Sequence, residues 1–142
     1  MASILAGLAF SNAGLGAVHA LAHSLGGAHD LPHGECNALL LPLVIEANFH
    51  DNLNAYCQFG RALGIGAELD ACGTDDDQRD LVVGKVRNLM SKTGIEHGLA
   101  SLGVRKEDLP RLAKLALNDV CLATNPRMLN AQELEQIYAK AL

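Results

Sequence analysis

Two histidines, His19 and His23, stand four residues apart, and His33 follows fourteen residues after the first. On a helix this i, i+4 spacing projects both imidazoles from one face, close enough to share a site. Neutral imidazole is a good ligand for Fe, Zn, Co or Ni. His33 comes at the start of the next helical pattern, where the helix dipole disfavours protonation and leaves a nitrogen lone pair free. Two helices bridged by a short glycine-containing loop would therefore bring three imidazoles to one point. The same i, i+4 pair in an apolar helix also fits two hydrogen-bonded core residues, and spacing alone does not decide between them. The other histidines carry plainer readings: His29 solvated in a polar loop, His50 paired on a helix surface with Glu46, and His97 on the surface. A zinc cluster of His29, His33 and Cys36 would lack a fourth ligand nearby.

Positioning those histidines requires helices, and the sequence reads as helical almost throughout. Leu and Ala recur at three- and four-residue spacing, and no stretch alternates as a strand would. A short apolar helix is expected over 3–10 and a second over 13–25, with Gly14 and Gly16 inside its pattern and Gly26-Gly27 as a left-handed cap. A loop over 28–31 leads to Pro32, which can open a third helix carried on over 34–49 and bent at Pro42. A fourth helix is expected over 52–63, closed by Gly64. Thr74 with Asp75, Asp76 and Asp77 caps a fifth that continues over 81–91. A turn or two follows over 96–102, then a helix over 107–119 with Pro110 in its first turn. Asn125-Pro126 breaks the chain, and Asn130 caps a last helix over 131–141. No repeat, linker or low-complexity tract is visible, so residues 1–142 read as one all-α domain, a bundle of about six to eight helices.

Charge and composition narrow the function. The net charge of −5 over 142 residues is unevenly placed, because no Lys or Arg precedes Arg61. Ahead of it lie Asp30, Glu35, Glu46, Asp51 and five of the six histidines. A net negative chain without a basic stripe argues against nucleic acid or an anionic membrane as the main partner. With 49% apolar residues there is ample material for a core. Cys36, Cys57, Cys72 and Cys121 show neither CxxC pairing nor the density of a disulfide scaffold, so reduced thiols and a cytoplasmic location are expected. The apolar start lacks the basic region of a signal peptide, and its runs are too short and too broken by Gly and Asn to span a bilayer.

The run over 14–42, GLGAVHALAHSLGGAHDLPHGECNALLLP, resembles the signature of the iron-containing (group III) alcohol dehydrogenases: a helix with HxxxH, a glycine pair, a short loop, then PHGxxNA. Asp119-Val120-Cys121 with Asn125-Pro126-Arg127 resembles that family's DVCxxxNPR segment, and Gly103-Val104 through Pro110 resembles its GVxxxDLP turn. The resemblance runs from about residue 3 to the C-terminus. It implies a dehydroquinate-synthase-like, all-helical C-terminal domain that binds the metal, next to a Rossmann-like domain that binds the nicotinamide cofactor. It further implies His19 and His33 as metal ligands, His23 as the histidine that aids proton transfer, and Cys121 as a residue close to the nicotinamide ring. The metal, Fe2+ or Zn2+, would act as a Lewis acid on the alcohol oxygen while hydride leaves for NAD(P).

The family's remaining two ligands come from a DxxxH pair on an earlier helix, and no such pair precedes His19. A glycine-rich phosphate-binding unit is likewise absent from this sequence. The chain therefore reads as a truncated, C-terminal fragment of a metal-dependent, NAD(P)-linked dehydrogenase of short-chain alcohols, inactive or nearly so alone. A different reading is a stand-alone, non-catalytic helical module with vestigial histidines that associates with itself. Either way, bared apolar surface predicts self-association, with a homo-oligomer the expected state. On the first reading, the sixty residues without Lys or Arg form the wall of a cation site, where a fixed positive charge would repel the metal.

Overall fold

A computed structural model describes residues 1–142, Ala2 by its backbone alone. Eight α-helices follow in order: α1 (Ala2–Ala13), α2 (Ala17–His29), α3 (His33–Asn48), α4 (Leu53–Ala62), α5 (Gly66–Asp70), α6 (Asp75–Lys92), α7 (Leu109–Leu117) and α8 (Ala131–Ala141). Short 3-10 turns join several of them, and no strand occurs among the described residues. The expected all-α bundle is what forms.

Two apolar clusters hold it together. One gathers Leu21, Leu25, Leu40, Leu112 and Leu134 from α2, α3, α7 and α8 around the fully buried Tyr138, whose hydroxyl donates to the Leu21 carbonyl at 2.7 Å. The other packs Ile45 and Phe49, at the end of α3, against Ile65, Leu69, Val82, Val83 and Val86. Helix α3 contributes to both, which explains why its sequence is apolar on nearly every side.

The boundaries around the histidines differ from the sequence reading in an instructive way. Gly14 and Gly16 do not lie within a helix: the chain turns between α1 and α2, Gly14 taking φ 77°. A Cβ at Gly14 would stand 2.7 Å from the Thr124 Oγ1 atom, so glycine is required there both for the left-handed backbone and for the approach of the Val120–Thr124 turn. The Gly26-Gly27 pair does not end α2 either. The helix runs on to His29, and the left-handed residue is Asp30, at φ 54°, whose N–H bonds the Gly26 carbonyl at 3.0 Å. Asp tolerates that conformation better than most residues. Pro32 stands just before α3 in an extended conformation (ψ 122°), with His33 the first helical residue, and Pro42 lies buried inside the helix.

Farther along, the Thr74 cap of α6 and the Asn130 cap of α8 form as expected, each as a reciprocal capping box. The short helix α5 has no counterpart in the sequence reading. The expected helix over 107–119 splits into a 3-10 turn, α7 and the loop that carries Asp119.

Helix α1 leaves Ile4, Leu5, Leu8 and Phe10 more than half exposed. No single helix is long and apolar enough to cross a membrane; α1 and α2 together are apolar but bend by 106° at their junction.

Candidate metal and proton-transfer site

The extra turn of α2 and the start of α3 set the three histidines face to face. The ring centroids of His19 and His33 lie 5.3 Å apart, those of His23 and His33 5.2 Å, and those of His19 and His23 5.9 Å. The His23 and His33 rings are nearly parallel, at 18°. The three imidazoles thus lie side by side at one edge of α2 and α3 rather than dispersing into the core.

Each ring is held differently. Burial, followed by the neighbouring His33 and His23, lowers the pKa of His19 against the opposing pull of Asp119, so His19 stays unprotonated at neutral pH. The His33 Nε2 atom lies 2.9 Å from the Asn37 Nδ2 atom. An amide nitrogen only donates, so the unprotonated Nε2 of His33 accepts this bond. Asn37 in turn has a buried Oδ1 atom without a hydrogen-bond partner, an orphaned acceptor directly beside the cluster.

His23 Nδ1 lies 2.9 Å from Asp119 Oδ2, a contact across 96 residues of sequence. Burial alone would raise the Asp119 pKa, but the Cys121 amide, the His23 bond and the Cys121 thiol outweigh it and leave the carboxyl below its ordinary value. An ionised carboxylate accepts, so His23 carries its proton on Nδ1 and presents Nε2 as the basic nitrogen. Asp119 Oδ1 accepts from the Cys121 N–H at 2.8 Å, which fixes the carboxylate at the start of the Val120–Thr124 turn. Burial, then hydrogen bonding to Asp119 and its charge, raise the Cys121 thiol pKa, keeping it protonated.

The turn that carries Asp119 and Cys121 is anchored by Asn125. Its Oδ1 accepts from the Ala17 N–H at 3.1 Å, at the start of α2, and from Asn48 Nδ2 at 2.9 Å, at the end of α3. Its Nδ2 donates to Asn48 Oδ1 at 3.0 Å and to the Arg127 carbonyl at 2.8 Å. Both histidine helices are thereby tied to the segment opposite them. An open groove of about 400 Å³ starts at His19 and Asn37 and runs past Ala38 and Val44 to Tyr56 and Asn125.

Three expectations fail here. His29 is not in a solvated loop: it ends α2 with a largely buried side chain, its Nε2 atom 3.7 Å from Asp108 Oδ2. His50 pairs with Asp76 at 3.0 Å rather than with Glu46, which binds Lys140. His97 is only partly exposed and bonds Glu35 at 2.8 Å. Cys36 is fully buried in the core, away from any cluster with His29. Asp119, Asn37 and Asn125 were missed as contributors to the site. Their positions in the DVCxxxNPR and PHGxxNA runs were the available signal, but the partners that give them roles are distant in sequence.

The Fe-containing alcohol dehydrogenase family, C-terminal model matches residues 1–142. The chain is 40% identical over 140 residues to 1,3-propanediol dehydrogenase of Citrobacter freundii, covering 99% of the chain and 35% of that protein. It is 39% identical over 137 residues to lactaldehyde reductase of Escherichia coli K12, covering 96% of the chain and 35% of that protein. A crystal structure of 1,3-propanediol oxidoreductase superposes with a TM-score of 0.90 at 38% identity, covering 99% of this chain and 36% of that one. The chain thus spans about 35% of the length of the curated relatives it matches.

Proposed function

The chain belongs to the Fe-containing alcohol dehydrogenase family, and we propose that its histidine face is the metal and proton-transfer half of an NAD(P)-linked enzyme that interconverts short-chain alcohols and aldehydes. The observation that carries this reading is the convergence of His19, His23 and His33 within 5.2–5.9 Å. The donors fit a divalent ion: His19 is held unprotonated, and His33 has its unprotonated nitrogen Nε2 engaged only by the Asn37 amide, which a metal would displace, next to the orphaned Asn37 Oδ1 atom. His19 and His33 would hold Fe2+ or Zn2+, with further ligands from a segment not in this sequence, since such a centre takes three or four protein ligands. When bound, the metal supplies Lewis acidity to the alcohol oxygen and the nicotinamide accepts hydride.

The chain's own residues do the rest. His23, its Nδ1 proton committed to Asp119, uses Nε2 to take the alcohol proton and pass it to solvent, to which its side chain is 41% exposed. Cys121, a neutral thiol at the same edge, offers a small polarizable surface for the nicotinamide ring. The dinucleotide itself would be bound mainly by a domain outside this sequence. Because no Lys or Arg precedes Arg61, α2 and α3 bring no fixed positive charge of their own to the cation.

Expressed in one chain with a preceding segment that supplies a DxxxH pair and a glycine-rich dinucleotide unit, the protein should reduce NAD(P) with short alcohols after Fe2+ loading. His19→Ala and His33→Ala should then lose metal and activity together. Persistent inactivity of the metal-loaded protein across a panel of short alcohols would overturn the reading. The exposed apolar face of α1, with Ile4, Leu5, Leu8 and Phe10, supports self-association of the 142-residue chain. A monomeric mass by light scattering at high concentration would contradict that.

A further inference from the structure

Beside the histidine pair assigned above lies a second set of metal-ligating atoms. His23, Asp119 and Cys121 each offer one, and these atoms all lie within 4.8 Å of one another. No other group of three His, Cys, Asp or Glu residues meets that spacing among the described residues. Donors around a tetrahedral zinc-sized ion stand roughly 3.5 Å apart, given bonds of about 2.0–2.3 Å, so side-chain adjustments on the order of 1 Å close the set.

The local backbone already prepares this closure. One oxygen of Asp119 is anchored by the Cys121 N–H at 2.8 Å, and the other is aimed at His23 Nδ1 at 2.9 Å. A cation entering between imidazole and carboxylate replaces the shared proton and leaves the anchor intact. The chemistry of the donors selects the ion. A thiolate, an imidazole and a single carboxylate suit zinc, cobalt or cadmium and are a poor match for Mg2+ or Ca2+, which demand oxygen shells. The exposed side of His23 gives the ion a path from solvent and leaves room for a water as fourth ligand.

We propose that His23, Asp119 and Cys121 form a thiolate-containing site for a divalent cation of the zinc class, using neither His19 nor His33. On binding, Cys121 releases its thiol proton to solvent, and His23 coordinates through Nδ1 while its proton moves to Nε2. Occupancy withdraws the basic nitrogen of His23, so the cation acts as an inhibitor of proton transfer. That consequence rests on the proposed function, whereas the site itself does not.

Co2+ titration of the purified 142-residue chain tests the site. The expected result is a near-ultraviolet thiolate-to-cobalt charge-transfer band that Cys121→Ser abolishes. Cys57→Ser and Cys72→Ser should leave the band unchanged, as should His33→Ala. His23→Ala and Asp119→Ala, each removing a ligand, should weaken cobalt binding by more than the roughly 10- to 100-fold that loss of an outer-shell partner costs. Peptide mapping after alkylation needs no variant: Cd2+ should protect Cys121 in the unaltered chain. Absence of the band, its survival in Cys121→Ser, or alkylation of Cys121 at saturating Cd2+ would each overturn the proposal. A cobalt spectrum without thiolate character that His19→Ala removes would overturn it while leaving the proposed function standing.

Discussion

The histidine face and the α4–α6 corner are held by opposite means. Around the histidines, the polar contacts join residues far apart in the chain: His23 to Asp119, Asn125 to Ala17 and Asn48, Tyr138 to Leu21. Around α4 to α6 the ion pairs are mostly local and exposed, as in Arg61 with Asp70 and Arg79 with Asp76 and Asp80, and Gln78 adds half-buried bonds to Cys57 and the Leu69 carbonyl. The buried Tyr138 bond and the half-buried Asn125 bonds cannot be lost without stranding a partner, whereas an exposed ion pair exchanges readily for water. Damage at the histidine face should therefore be large and shared between helices, and damage at the corner small and confined.

The sharpest way to break this contrast is to remove packing beneath the histidines. Leu21 is fully buried on α2 between His19 and His23. Leu21→Ala should cost about 2–5 kcal/mol in urea unfolding. It should also broaden the NMR signals of His19, His23 and His33 together. Next comes Asn125→Ala, which strips one partner from the Ala17 N–H and leaves the buried Asn48 amide unpaired. A loss of about 1–3 kcal/mol is expected. A loss no larger than that of an exposed ion pair would erase the distinction between the two regions.

That distinction also explains what could be read in the sequence. Helix starts announced by local chemistry were legible, because Thr74 with Asp77 and Asn130 with Glu133 complete their bonds within four residues. The His19, His23 and His33 convergence was legible because it needs only helical spacing and a short loop. The end of α2 was not. Two glycines resemble a cap, yet the chain reverses at Asp30, and the break before α2 falls at Gly14, where Thr124 presses against the backbone. Likewise Asn125 reads as a turn residue until Ala17 and Asn48 are seen to converge on it. His29 and His50 found partners, Asp108 and Asp76, that spacing along one helix could not suggest.

Acid should separate the regions by a different route. His19 is less basic in the folded chain than its ordinary value of 6.5, because of burial first and its histidine neighbours second. The unfolded chain then binds the proton more readily, so stability is full above pH 6.5 and falls as pH drops from there through the folded value. Asp119, held below its ordinary 3.8 despite burial, contributes stability that is present above 3.8 and lost only as pH falls through its folded value. Urea midpoints measured against pH should show the first decline begin near pH 6.5 and shrink in His19→Gln. An unchanged profile in that variant would place the decline elsewhere.

At the corner the expected effects are smaller. Thr74→Ala removes the acceptor for the Asp77 N–H at 3.1 Å. It should cost about 1 kcal/mol, because one helix end loses its cap while α6 keeps its packing against α3. Arg61→Ala breaks the 2.7 Å pair with Asp70. Both side chains there face water, so the attraction is screened and the freed groups are resolvated at no net cost. The urea midpoint should not move, and added salt should change the variant and the unaltered chain alike. A salt-sensitive loss in Arg61→Ala would show that the exposed pair fastens α4 to α5 and that surface charge, beside packing and helix caps, holds this corner.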